Sequence, residues 1–198
     1  MTPSRFGHIE RKTAETQITG SINLDGTGQL ALTTDCGFFG HMLTLFTAHS
    51  LYDIELVIQG DLHIDSHHTV EDTGIVLGQA IKQALGDCRG IYRYSSASIP
   101  MDESLCTLSI DISNRAFLHY QIPRIASKVG DFDTELVEEF LRAFVLHAGI
   151  TLHVDVVRGT NTHHVCESIF KALGRVLSQA TRIDPYRGAQ IPSTKGSL

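Results

Sequence analysis

Two histidine pairs, each with a carboxylate at the same distance, mark where this chain could do chemistry. They are His67-His68-Thr69-Val70-Glu71 and His163-His164-Val165-Cys166-Glu167, and both read His-His-x-x-Glu. Each runs into an apolar, helix-like segment, Gly74 to Leu85 after the first and Ile169 to Leu177 after the second. On a helix each glutamate lies one turn beyond its histidines, so carboxylate and imidazole share a face. Imidazole nitrogen with carboxylate oxygen suits Mn, Fe, Zn, Ni or Co, and the absence of a thiolate shared by both copies argues against a structural zinc. Adjacent residues on a helix diverge by roughly 100°. Each pair is therefore suited to two ions, or to one ion and a substrate. One such copy could be a solvated helix start. Two copies with one spacing and one downstream pattern point to a duplicated unit that builds a metal site.

The surrounding elements repeat as well. Gln17 to Leu24 has strand character, and Asp25-Gly26-Thr27-Gly28 is a turn that predicts a hairpin back through Leu30-Ala31-Leu32. Phe39, Met42, Leu43, Leu45 and Phe46 recur at helical spacing, with His41 and His49 on the same segment. Leu51 to Ile58 alternates as a strand, and Leu62-His63-Ile64-Asp65 reads as a short strand before the first histidine pair. Residues 88–100 read as a connector ended by Pro100. Leu105 to Ile112 is a strand, Phe117 to Ile122 a returning strand, and residues 123–133 a loop. Thr134 to Gly149 is helical, Thr151 to Val157 alternates, and the last helix ends near Thr181.

An offset of 98 matches Leu43 with Leu141, Phe46 with Phe144 and His49 with His147, and it sets Glu139 opposite His41. A carboxylate can replace an imidazole on such an ion. Two ligand sets follow, one per half: His41, His67, His68 and Glu71, then Glu139, His163, His164 and Glu167. The organisation expected is α+β, two duplicated halves, residues 1–92 with the motif at 67–71 and residues 93–198 with the motif at 163–167 and a tail. The divergent rings favour ions shared between subunits, and hence a homo-oligomer. His49, His147 and His153 are read as structural, and Glu15, on its residue type alone, as a surface carboxylate.

Bulk properties bound the function. A 42% hydrophobic and 19% charged chain is globular, and a net charge of −6 offers no attraction to nucleic acid or anionic lipid. No apolar run approaches the length of a membrane span, and nothing reads as a secretory leader. Cys36, Cys88, Cys106 and Cys166 form no C-x-x-C pair, so reduced thiols in a cytoplasmic protein are expected.

From Arg11 to Gly196 the chain resembles the imidazoleglycerol-phosphate dehydratases of histidine biosynthesis. The matching stretches are Thr13-Ala14-Glu15-Thr16, Gly37-Phe38-Phe39-x-His41-Met42-Leu43, His67 to Asp72, Pro100-Met101-Asp102-Glu103, Phe132 to Glu138, Asn161-Thr162-His163-His164 and Pro192-Ser193-Thr194-Lys195-Gly196. Gly40 and Ser66 depart from the residues usual before the metal histidines. The resemblance implies two α/β halves, each a four-stranded sheet with helices on one face, as in the ribosomal protein S5 domain 2-like group. It also implies two Mn2+ ions per active site and an octahedral 24-mer with sites between subunits. It gives Glu15 an acid/base role, and it sets Arg93, Arg115, Lys171, Ser193 and Lys195 around a phosphorylated imidazole substrate. The implied reaction removes water from D-erythro-imidazole-glycerol phosphate. No carbonyl neighbours the proton to be lost, so the imidazole ring must hold the electrons. The competing readings are another divalent-metal lyase or hydrolase on this frame, or a non-catalytic metal-bound assembly protein.

Overall fold

A computed structural model describes residues 5–198. Residues 1–4, the start of the expected first half, lie outside the described residues. The first half contains β1 (Phe6–Lys12), β2 (Thr16–Asn23), β3 (Leu30–Thr33), α1 (Gly37–Ser50), β4 (Asp53–Gly60) and α2 (His67–Leu85). The second contains β5 (Tyr94–Met101), β6 (Ser104–Ile112), β7 (Phe117–Gln121), the two-residue strands β8 (Lys128–Val129) and β9 (Phe132–Asp133), α3 (Leu136–Ala148), β10 (Ile150–Arg158) and α4 (Thr162–Thr181).

Each half forms a four-stranded sheet, ordered β1-β2-β4-β3 in the first and β5-β6-β10-β7 in the second. The orders correspond strand for strand, so the duplication read from the histidine motifs is a duplication of fold. Helices of one half cross helices of the other, α1 with α4 and α2 with α3. The two helix layers share one core between the sheets. The aromatics Phe39, Phe46, Phe140, Phe144 and Phe170 lie at its centre, all buried. Phe39 meets Phe140 edge-on at 5.5 Å and Phe46 meets Phe144 edge-on at 6.4 Å, linking the halves.

Glycines set how closely the helices cross. A β-carbon on Gly174 of α4 would stand 2.7 Å from the Phe46 carbonyl oxygen of α1, and one on Gly78 of α2 would stand 2.6 Å from the Phe144 carbonyl oxygen of α3. His49 and His147 flank these contacts, each with its β-carbon 3.0 Å from the position such a β-carbon would take. Both histidines are half-buried, and burial foremost, with neighbouring cations, lowers their pKa.

The structure departs from the sequence reading in five places, one of them the short hairpin of β8 and β9 inside residues 123–133, which read as a loop. Leu30 to Leu32 does form a strand, but β3 runs parallel to β4 instead of folding back on β2. Likewise β7 pairs parallel with β10, not with β6. In both halves the connection between the parallel strands carries a helix, as parallel pairing requires. Residues 94–101 are the edge strand β5 and not a connector. Pro100 is tolerated because an edge strand leaves some backbone N–H groups unpaired. Residues 62–65 are turn, not strand: the Ile64 N–H donates to the Asp61 carbonyl at 2.8 Å, and the Ile64 side chain is exposed.

Candidate metal and active site

The motif histidines open α2 and α4, and the chain before each helix prepares that start. Asn161 caps α4, its side-chain oxygen accepting from the His163 and His164 N–H groups at 3.0 and 3.3 Å. Asp65 plays the matching part at α2, accepting from the His67 N–H at 2.7 Å. The rings within each pair stand nearly perpendicular, at 83° for His67 and His68 and 81° for His163 and His164. His163 faces Glu167 while His164 faces Glu103, so the divergence expected from the helical repeat is present.

His41 of α1 meets the second motif, not the first. Its Nε2 lies 2.8 Å from Glu167 Oε1, and His163 Nε2 lies 3.0 Å from the same oxygen. Ligand atoms of His41, His163 and Glu167 all fall within 4.8 Å of one another, the tightest potential metal cluster among the described residues. The half-by-half grouping is thus corrected. Because α1 crosses α4, His41 belongs with His163 and Glu167. By the same pseudo-symmetry Glu139, in the first turn of α3, belongs to the crossing with α2, which carries His67 and Glu71. That second set is looser. His67 Nε2 is 3.9 Å from Glu71 Oε2, and Glu139 Oε1 is 3.9 Å from Arg142 Nε.

Lys171, one turn after Glu167, places Nζ 2.7 Å from Glu167 Oε2. Burial opposes the charged form of Glu167, but hydrogen bonds from Lys171, His41 and His163 outweigh it and hold its pKa at about 2. Two imidazoles and one ionised carboxylate match the donor set of a borderline divalent ion.

The second histidine of each pair turns toward other carboxylates. His68 Nδ1 lies 3.0 Å from Asp61 Oδ2 and 3.8 Å from Glu15 Oε2, and the hydrogen bond with Asp61 raises its pKa. His164 Nδ1 lies 2.7 Å from Glu103 Oε2, which raises its pKa in the same way. Glu15 is placed by its own motif. Thr13 Oγ1 accepts from the Glu15 and Thr16 N–H groups at 3.1 and 2.9 Å, and the Thr16 hydroxyl donates to buried Asp72, next to Glu71 on α2. Sequence reasoning gave Asp61, Asp72 and Glu103 no role. Only the short stretches containing Asp72 and Glu103 hinted at one, and nothing in the spacing of Asp61 did.

The basic residues lie around the second half and the tail. Arg93 is 8% exposed and has a left-handed backbone, φ 76°. Its Nε and Nη2 reach both oxygens of Asp111 at 2.6 and 3.2 Å, and its Nη1 donates to the Pro192 carbonyl at 2.7 Å. It therefore ties down the chain just before Ser193 and Lys195. Arg115 is exposed, with Nη2 3.3 Å from Asp111, and Lys195 is exposed in the tail. Of these basic residues, Lys171 is the one that touches the His41–His163–Glu167 cluster among the described residues. His153 is exposed on the outer face of the second sheet.

Fold and site together define a duplicated α+β protein whose helix crossings carry histidine–carboxylate clusters. The family model described as imidazoleglycerol-phosphate dehydratase matches residues 34–177. Imidazoleglycerol-phosphate dehydratase of Methylorubrum populi is 54% identical over 194 residues, covering 98% of this chain and 100% of that protein. That of Sinorhizobium fredii is 52% identical over 198 residues, covering 100% and 98%. The crystal structure of the Staphylococcus aureus enzyme aligns with a TM-score of 0.82 at 42% identity, covering 90% of this chain and 99% of that one. The Pyrococcus furiosus enzyme, in complex with (S)-C348, aligns with a TM-score of 0.82 at 32% identity, covering 96% and 100%. The chain belongs to the imidazoleglycerol-phosphate dehydratase family and is a carbon–oxygen lyase of histidine biosynthesis. No helix among the described residues is long and apolar enough to cross a membrane.

Proposed function

We propose that this chain converts D-erythro-imidazole-glycerol phosphate to imidazole-acetol phosphate with two Mn2+ ions per active site. The observation that carries the reading is the meeting of His41, His163 and Glu167 within 4.8 Å, from two halves of the duplication. His67, Glu71 and Glu139 form the twin set, and His68 and His164 present the remaining ligand nitrogens. When bound, the ions supply Lewis acidity that favours loss of the imidazole N–H proton.

The protein supplies the rest. Glu15 is half-exposed, stands off from His68 at 3.8 Å, and is the carboxylate free to move protons during loss of the hydroxyl and of the neighbouring C–H. Glu71 and Glu167 act as ligands and keep the ring side of the site negative. Lys171, Arg93, Arg115, Ser193 and Lys195 hold the phosphate, which takes no part in bond breaking and serves to orient the substrate. Ligand sets split between helix crossings, with Arg93, Arg115 and Lys195 making no contact with them in the single chain, favour sites completed between subunits of an octahedral 24-mer acting in the cytoplasm.

The test is release of imidazole-acetol phosphate by the purified, Mn2+-loaded chain. Wild type should turn over. Glu15→Gln should keep metal and assembly while losing about 10²- to 10⁴-fold in kcat. No product from wild type would overturn the reading, and a fully active Glu15→Gln would remove Glu15 from it.

A further inference from the structure

Glu103 is the internal twin of Glu15. Thr16, at the start of β2, bonds Asp72 on α2; Ser104, at the start of β6, lies with its Oγ 3.2 Å from Ser168 Oγ on α4. Asp72 follows Glu71 as Ser168 follows Glu167, so the residues just before the two strands, Glu15 and Glu103, occupy equivalent places.

The two carboxylates are used differently. In the first half Asp61 holds the His68 ring at 3.0 Å and Glu15 stands further off, its side chain 53% exposed. In the second half the residue corresponding to Asp61 is Thr160. Gly60 and Gly159 cross the equivalent helix residues Thr69 and Val165, and Asp61 and Thr160 follow them. Thr160 has no carboxylate and offers its N–H to Glu103 Oε1 at 3.2 Å, with the Asn161 N–H at 2.7 Å on the same oxygen. The other oxygen, Oε2, lies 2.7 Å from His164 Nδ1. Both oxygens are therefore engaged, one by the backbone that starts α4 and the other by a ring on its first turn.

An ionised carboxylate only accepts, so the proton between Glu103 and His164 sits on Nδ1. In the neutral ring Nε2 then carries the lone pair. Nε2 is 3.8 Å from the exposed Asp102 Oδ2, beyond hydrogen-bond distance. We propose that Glu103 is a positioning residue for the dehydration: it locks the His164 ring in the Nδ1–H form and presents Nε2 as the ligand nitrogen, as Asp61 does for His68. This rests on the reading of His164 as a metal ligand. It also explains why only one twin is free for proton transfer. Asp61 relieves Glu15 of the orienting task, and nothing relieves Glu103.

Binding of Mn2+ alone to the metal-free full chain, followed by the electron-spin signal of the free ion, tests it in wild type, His164→Ala and Glu103→Gln. The Gln amide cannot accept from the backbone N–H groups and from His164 with both of its atoms. One of its sides must present N–H, and against the ring that selects the tautomer unable to bind through Nε2. Glu103→Gln should lose about 10- to 100-fold in affinity at one class of site, and His164→Ala at least as much. If His164→Ala loses affinity and a folded Glu103→Gln does not, the positioning role is overturned while the ligand reading stands. If His164→Ala binds as wild type does, both fall. A measurement on wild type covers the case of a variant that fails to fold. Nitrogen-15 resonances of neutral His164 in the metal-free chain should report Nδ1–H, and an Nε2–H ring overturns the proposal.

Discussion

Gly174 lies against the backbone of Phe46, and a β-carbon there would stand 2.7 Å from the Phe46 carbonyl oxygen. The contact involves none of His41, His163 and Glu167, yet it sets the distance between α1, which carries His41, and α4, which carries His163 and Glu167. Gly174→Val should push the helices apart. Overpacking of this kind costs about 1–3 kcal/mol, and the ligand cluster should loosen with it. Thermal unfolding should show a lowered midpoint, with weaker metal binding. Gly37→Ala is the control, since a β-carbon there meets nothing within 4 Å.

Arg93 joins Asp111 to the Pro192 carbonyl from a buried position. Lysine cannot reproduce the two-pronged grip. Arg93→Lys should free the tail that carries Ser193 and Lys195. Limited trypsin digestion should cut faster after Arg187, and KM should rise more than kcat falls. Lysine keeps the charge beside Asp111 but cannot also donate to the Pro192 carbonyl, and each lost hydrogen bond costs about 1 kcal/mol, so unfolding should shift as well. An unchanged digestion pattern would deny Arg93 its tethering role.

Lys171 is the cation in contact with the ligand cluster, at 2.7 Å from Glu167 Oε2. Lys171→Met should raise KM for the phosphorylated substrate at least about tenfold, equivalent to about 1.4 kcal/mol of lost binding. Steady-state kinetics with Mn2+ saturating separates this from a metal defect.

Burial pushes the Cys106 and Cys166 thiols up to about 12. In the unfolded chain they ionise near about 8.5. The unfolded state therefore sheds protons that the folded state keeps once pH passes the ordinary thiol value. Stability is unaffected below that value and falls as pH rises from there toward 12. Iodoacetamide at pH 8 should leave both thiols unlabelled in the native protein and label them in denaturant. Rapid native labelling at either position would contradict their burial.

Ligands spread over two helix crossings also predict that metal holds subunits together. Exhaustive chelation should convert the assembly to smaller species in sedimentation velocity, and Mn2+ should restore it. Unchanged sedimentation after metal removal would count against sites shared between chains.

The histidine–carboxylate pattern was legible in the sequence because a helix writes its faces into local spacing. His163 and Glu167, four apart, do share a face, and Phe39, Met42, Leu43 and Phe46 do face the core. Pairing between distant segments leaves no such mark. Alternation in Phe117 to Ile122 shows that a strand has two faces, but not that its neighbour is β10 instead of β6. Edge strand β5 was hidden by Ser95, Ser96, Ser98 and Pro100, residues that also make connectors. The grouping of ligands was hidden for the same reason. The offset of 98 identified His41 and Glu139 as counterparts, but which helix each one crosses is a property of the packed core. Carboxylates that orient rings carry no periodic signature: Asp61 lies in the irregular segment seven residues before His68, and Glu103 lies sixty-one residues before His164.

The most direct test of the central claim is anomalous scattering from crystals grown with Mn2+ and an unreactive substrate analogue. Two Mn peaks per active site are predicted, one bounded by His41, His163 and Glu167 and the other by His67, Glu71 and Glu139, with the analogue's ring between them. Crystals saturated with Mn2+ that show no peak beside either set would contradict it.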